Sequence, residues 1–144
     1  MMSPAVRAQL IVDCQQAVIR FFAALDAGRM DDVAKAFDGD GIWHRQGKQL
    51  QGPSGVAEAL ASRPAGRVTA HLIQNFIADF DDERTARTSY VVLTYRHDAP
   101  DGAKAAAAPM VKPYSIAAYD DRMRFDGGRW LVLERRSRNM FMDQ

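Results

Sequence analysis

The stretch Arg67–Phe80, RVTAHLIQNFIADF, decides how the chain reads, because it alternates like a strand and carries a histidine where a core residue would be expected. Taking every second residue places Val68, Ala70, Leu72, Gln74, Phe76, Ala78 and Phe80 on one face, and Thr69, His71, Ile73, Asn75, Ile77 and Asp79 on the other. The first face is largely apolar and the second is mixed, the composition expected of a surface that borders a cavity. His71 and Asn75, four apart, are then expected to point the same way.

Downstream of this stretch the pattern stays extended. Asp81-Asp82-Glu83 is a polar turn, and Thr85–Arg96 reads as a second long strand rich in Thr, Val, Leu and Tyr. Residues 98–113 hold three prolines, a glycine and the run Ala105–Ala108, which predicts a surface loop with at most one helical turn, of a length often used as a lid. Tyr114–Phe125 and Arg129–Arg138 are two further strands joined by the hairpin signal Asp126-Gly127-Gly128.

Upstream the period changes to that of helices. Ser3-Pro4 suits an N-cap followed by proline in the first turn. Val6, Leu10, Cys14, Ala17, Val18, Phe21, Phe22 and Leu25 then recur at three- and four-residue spacing, ending at Gly28, a good residue for a left-handed cap. Met30–Phe37 is predicted as a short second helix, with Asp31 and Asp32 where the helix dipole favours negative charge, ended by Asp38-Gly39-Asp40-Gly41. Ile42–Arg45 and Lys48–Gln51 read as a small hairpin around Gln46-Gly47, and Gly52-Pro53-Ser54 opens a third helix over Gly55–Ser62. Three helices followed by long antiparallel strands predict an α+β domain, a curved antiparallel sheet with helices over one face that can wrap a conical pocket.

Composition bounds the function classes. At 144 residues the chain fits one domain, residues 1–144, able to bury roughly two-thirds of the surface its unfolded form exposes. A formal net charge of +1 leaves no nucleic-acid footprint, and Arg135-Arg136-Ser137-Arg138 is too short a basic run to make one. The single cysteine, Cys14, excludes an intrachain disulfide and a cysteine metal cage; inside the apolar stripe it reads as a buried thiol. With no leader pattern and no apolar run of membrane-spanning length, the expectation is a soluble, cytoplasmic protein without membrane contact.

Several fragments, in order along nearly the whole chain, resemble the SnoaL-like branch of the nuclear-transport-factor-2-like superfamily, whose cone fold is shared by scytalone dehydratase and ketosteroid isomerase. They are Ala24-Leu25-Asp26-Ala27-Gly28, Phe37-Asp38-Gly39-Asp40-Gly41-Ile42-Trp43, Leu50-Gln51-Gly52, His71-Leu72-Ile73-Gln74-Asn75, Ala86-Arg87-Thr88-Ser89-Tyr90, Tyr119-Asp120-Asp121 and Asp126-Gly127-Gly128-Arg129-Trp130. Members include dehydratases, isomerases, polyketide cyclases and binding domains, so function rests on individual residues. The resemblance implies that an acid late in the first helix pairs with a histidine on the strand after the third helix; Asp26 and His71 match these positions, and His97 matches a second histidine at the end of the next strand. The position before the acid, a tyrosine in scytalone dehydratase, is Leu25. The resemblance also implies a homodimer.

An Asp–His pair suits acid–base chemistry beside a carbonyl, because the carboxylate fixes the tautomer and frees the other ring nitrogen to move a proton. Tyr90, Tyr119, Asn75 and Trp43 are candidate oxyanion partners, and His44 and His97 are candidate pocket groups whose alternative is solvent. Phe21, Phe22, Trp43, Ile73 and Met123 are expected to line a mostly apolar pocket for a small hydrophobic molecule. The scattered histidines lack metal-site spacing, so neither metal nor cofactor is expected. Of Arg135, Arg136 and Arg138, alternation sends Arg135 to one side and the other two to the opposite side, at a solvated strand end or an anion site. Met140-Phe141-Met142 is apolar enough to plug the pocket or meet a second copy. The readings that remain are a cofactor-independent lyase or isomerase using Asp26 and His71, and a non-catalytic binding or accessory-subunit domain.

Overall fold

The computed structural model describes residues 1–103 and 106–143. Helix α1, Pro4–Ala27, starts where Ser3 Oγ accepts the Val6 N–H at 3.2 Å and stops at Gly28, whose φ of 77° turns the chain. Its stripe is buried from Cys14 onward, through Val18, Phe21, Phe22, Ala24 and Leu25, whereas Val6 near the start is exposed. α1 is long and apolar enough to span a bilayer by length and composition, contrary to the sequence expectation, but its buried side is the core stripe of the domain.

Helix α2 is shorter than predicted, Met30–Lys35, because Phe37 already opens strand β1, Phe37–Arg45. The reason is pairing: the Val132 N–H donates to the Ala36 carbonyl at 2.9 Å, and Phe37 lies beside Val132. Gly41 permits this approach, since a Cβ there would sit 2.6 Å from the Val132 carbonyl oxygen. Strand β2, Lys48–Gln51, closes the expected hairpin, and helix α3, Gly52–Leu60, follows directly.

The remaining strands are β3, Arg67–Asp82; β4, Thr85–Asp98; β5, Ser115–Asp126; and β6, Arg129–Met142. The six form one curved, unclosed sheet in the order β2, β1, β6, β5, β4, β3. Every neighbouring pair is antiparallel except β1 with β6, which run parallel because the helical segments return the chain to the far side of the sheet. The helices cover the concave face, and the core lies between: Cys14, Val18, Phe22 and Val33 from the helices against Tyr90, Val92, Met123 and Val132 from the sheet.

Two bulges change which residues face that core. In β3, Gln74 pairs with Val91 but Ile77 pairs with Ser89, so one extra residue is inserted, and Asn75 adopts a φ of 55°. Thr69, His71 and Ile73 therefore face inward before the bulge, and Phe76, Ala78 and Phe80 after it. The single apolar face predicted for this strand does not exist, and Leu72 and Ile77 are 46% and 58% exposed on the outer surface. In β6, Arg122 pairs with Glu134 and Met123 with Val132, leaving Leu133 as the extra residue. Trp130 and Val132 face inward before it and Arg135 after it.

The described parts of the 98–113 segment contain no helix or strand beyond the end of β4; Ala105 of the predicted alanine run lies outside the described residues. Residues 108–111 lie over the outer face of β3 and β4, enclosing about 340 Å³ with Val68, Ala70, Tyr95 and His97. They are therefore no lid over His71, which faces the other way.

Candidate active site

Asp26 sits on the last turn of α1 and His71 early on the inner face of β3, and the crossing of helix over sheet brings them together. The Asp26 carboxylate takes three hydrogen bonds from β3. Its Oδ1 accepts from the Thr69 hydroxyl at 2.7 Å and lies 2.5 Å from His71 Nδ1, and its Oδ2 accepts the His71 backbone N–H at 2.9 Å. Arg63, in the turn before β3, donates to Thr69 Oγ1 at 2.8 Å, so a chain runs Arg63, Thr69, Asp26, His71.

Burial pushes the Asp26 carboxyl upward, but the hydrogen bonds and charge from His71, with the Thr69 bond, outweigh it and leave Asp26 below its ordinary 3.8. An ionised Asp26 accepts from Nδ1–H, which assigns the proton of a neutral imidazole to Nδ1 and leaves Nε2 with its lone pair. Among the described residues Nε2 has no hydrogen-bond partner. Phe22 packs beneath the ring at a centroid distance of 5.2 Å.

His71 opens on a cavity of about 570 Å³. Trp43, His44, Arg45, Thr94, Tyr114, Tyr119, Ser137, Asn139 and Met142 share its wall. This lining is mainly polar, a correction to the mostly apolar pocket expected. Phe21, Phe22 and Met123, predicted as lining, are instead packed into the core, because the helices press directly on the sheet there; Ile73 packs against the same core.

The other candidates separate by strand geometry. Tyr119 and Trp43 border the cavity. Burial raises the Tyr119 hydroxyl, against the opposing charge of Arg135, so it keeps its proton at neutral pH. Tyr90 is 2% exposed and its hydroxyl donates to Asp121 Oδ2 at 2.7 Å, so it does not reach the cavity. Asn75 is on the bulge and exposed, not beside His71. His44 touches the cavity rim but bonds Glu134 at 3.1 Å, and His97 lies on the outer face under residues 108–111. Among the described residues no group of three or more His, Cys, Asp or Glu could hold a metal. Cys14 is fully buried, and burial, with Asp13 adding to it, pushes its thiol up to about 12.

Arg135 is neither solvated nor an anion site at the pocket mouth. It is fully buried, its Nε and Nη2 donating to Asp121 Oδ1 and Oδ2 at 2.9 and 2.8 Å, with the guanidinium 4.1 Å from the Phe21 ring centre. Burial works against its charge, and Asp121 more than restores it.

Sequence reading missed Thr69, Arg63 and Arg45. Thr69 was accessible in principle, being two residues before His71 on one face of an unbroken strand segment; Arg63 and Arg45 sit in or next to turns, where no periodicity marks direction.

The SnoaL-like domain model matches residues 6–136. Among curated proteins no sequence matches the chain. Solved structures of similar fold include a candidate scytalone dehydratase from Novosphingobium aromaticivorans, 16% identical with a TM-score of 0.78 over 96% of this chain and 89% of that one. Hexachlorocyclohexane dehydrochlorinase LinA-type3 from Novosphingobium barchaimii is 15% identical, with a TM-score of 0.78 over 98% and 93% of the two chains. A protein from Catenulispora acidiphila in complex with S-DNPA is 20% identical, with a TM-score of 0.73 over 92% and 94%. At these identities the structural likeness establishes the fold alone, while the sequence match, covering most of the chain, places it: this protein belongs to the SnoaL-like domain family.

Proposed function

We propose that the chain is a cofactor-independent lyase or isomerase that moves a proton next to a carbonyl of a small organic substrate, with His71 as the base and Asp26 as the residue that orients it. The observation that carries this reading is the Asp26–His71 contact, 2.5 Å from Oδ1 to Nδ1, on the wall of a cavity. In the reaction, His71 Nε2 takes a proton from the carbon beside the carbonyl and the C–H electron pair moves to give an enolate. The enolate then either expels a leaving group from the neighbouring carbon or is reprotonated at another position by the same imidazolium. The Tyr119 hydroxyl, protonated and bordering the cavity, is placed to donate to the enolate oxygen. Two structural neighbours bear the names of elimination enzymes, a scytalone dehydratase and a dehydrochlorinase, which agrees with this class.

The test is deuterium exchange at the α-carbon of small cyclic ketones in D2O, followed by proton NMR. Wild-type protein should accelerate exchange, and His71→Gln should lose on the order of 10²- to 10⁴-fold. Equal exchange by the variant would overturn the assignment. A second reading, a binding domain without catalysis, draws on the neighbour solved with S-DNPA; it predicts no exchange by either protein. The outer face that exposes Leu72 and Ile77 is proposed as a contact with a second copy of the chain, checked by sedimentation.

A further inference from the structure

We propose that the substrate of the His71 cavity is a small organic acid whose carboxylate is bound by Arg45. The inference rests on the reading of this cavity as the substrate site, and it adds the chemical class of the ligand and a specificity residue outside the Asp26–His71 contact.

Arg45 ends β1 on the same strand face as Trp43, and its guanidinium lies 5.2 Å from the Trp43 ring centre, on the wall that His71 and Tyr119 share. Four other arginines have polar partners, and Arg138, which has none among the described residues, is exposed to solvent. Arg63 donates to Thr69; Arg67 and Arg96 both donate to Asp98; Arg135 is held by Asp121. Arg45 is half-buried and, among the described residues, makes no hydrogen bond or ion pair.

That arrangement is unfavourable for the unliganded protein. Taking a guanidinium partly out of water costs free energy unless an anion or acceptor replaces the lost hydration. Burial first, and then the like charges of Arg67 and Arg96, act against the Arg45 cation. Among the described residues no Asp or Glu lines this cavity, and Asp26, behind His71, is already committed to Thr69 and His71. The cavity therefore offers an unmatched planar cation, fixed over an indole ring, within a hollow large enough for a small molecule. A carboxylate matches it, because two of its oxygens meet two parallel N–H groups of the guanidinium fork. Binding through that group would leave the rest of the molecule to extend along Trp43 and Tyr119 toward Nε2 of His71.

The experiment pairs each acid with its neutral isostere: benzoate with benzamide, and 2-naphthoate with 2-naphthamide, titrated into the full-length protein and followed by calorimetry at low and high salt. The expected result is that the carboxylates bind about tenfold more tightly than the amides, that added salt reduces this preference, and that Arg45→Gln abolishes it while Arg45→Lys keeps part of it. His71→Gln should retain the preference, because it removes the base and leaves the cation. Equal binding of acid and amide by the wild-type protein, no binding of either carboxylate at millimolar concentration, or an undiminished preference in a folded Arg45→Gln protein would each overturn the proposal. None of these readouts depends on turnover, so failure of His71 as a base and failure of Arg45 as an anion site are separate results.

Discussion

Of the carboxylates that hold nitrogen partners in this protein, Asp121 and Asp26 do so under opposite conditions. Asp121 and Arg135 have fully buried side chains, locked in a two-pronged contact that Tyr90 joins, with aromatic rings around the guanidinium. Asp26 and His71 keep 24% and 11% of their side chains exposed, and His71 borders a cavity. In the first pair the acid takes three hydrogen bonds inside the core, and the one guanidinium nitrogen without a partner, Arg135 Nη1, is itself buried, so the pair can only hold the fold together. In the second the acid is saturated while one histidine nitrogen is left over. A polar contact becomes available for chemistry when its network is satisfied on one side and open on the other.

The largest way to break this comparison is to cut the sealed pair. Asp121→Ala should destabilise the protein by about 3–5 kcal/mol, because it leaves the Arg135 charge buried without a counter-ion. Replacing both members, Arg135→Met with Asp121→Leu, should recover much of that loss. Urea denaturation of the three proteins measures it, and a cost for Asp121→Ala no larger than that of a surface substitution would show that the pair does not carry the core. His71→Gln, at the open pair, should by contrast change stability by about 1 kcal/mol or less, since the residue borders a cavity.

A smaller effect separates the pairs by pH. The folded-state pKa of Asp26 lies below its ordinary 3.8, so the folded protein binds fewer protons there than the unfolded chain does. The stability from Asp26 is thus fully present above that ordinary value and is lost as pH falls through the lower, folded value. Asp26→Asn should flatten the acid side of a stability-versus-pH curve, compared by denaturant midpoints from pH 6 down to pH 2. A variant curve parallel to that of the wild-type protein would mean that the contact with His71 contributes nothing to folding. The smallest effect concerns the bulge that sets which way β3 faces. Asn75→Val should cost about 1 kcal/mol, because a β-branched residue is strained at a φ of 55°, whereas Asn75→Gly should be neutral within about 0.5 kcal/mol. Thermal melting of the two variants distinguishes them.

The order of elements was legible in the sequence because it depends on local signals. Ser3-Pro4 and Gly28 bracket α1, Gln46-Gly47 turns the first hairpin, and Gly127-Gly128 turns the last. Asp26 and His71 were legible through their resemblance to a family pattern, and they lie on segments whose direction no irregularity disturbs. What could not be read was the facing of residues past a bulge. Period-two alternation carried unbroken through β3 puts Asn75 beside His71, and one inserted residue sends it outward and brings Phe76 against Tyr90. The same slip at Leu133 turns Arg135 into the core instead of toward solvent.

The sequence alone thus determined the helices, the strands and their succession, since capping, turn chemistry and periodicity act over a few neighbouring residues, whereas the pairing of Asp26 with His71 was legible only through the family resemblance. The tertiary structure decided the parallel seam between β1 and β6, the inward turn of Arg135 and the polar wall that Arg45 completes. These depend on how distant strands register against each other, and a shift of one residue there reverses every side chain that follows.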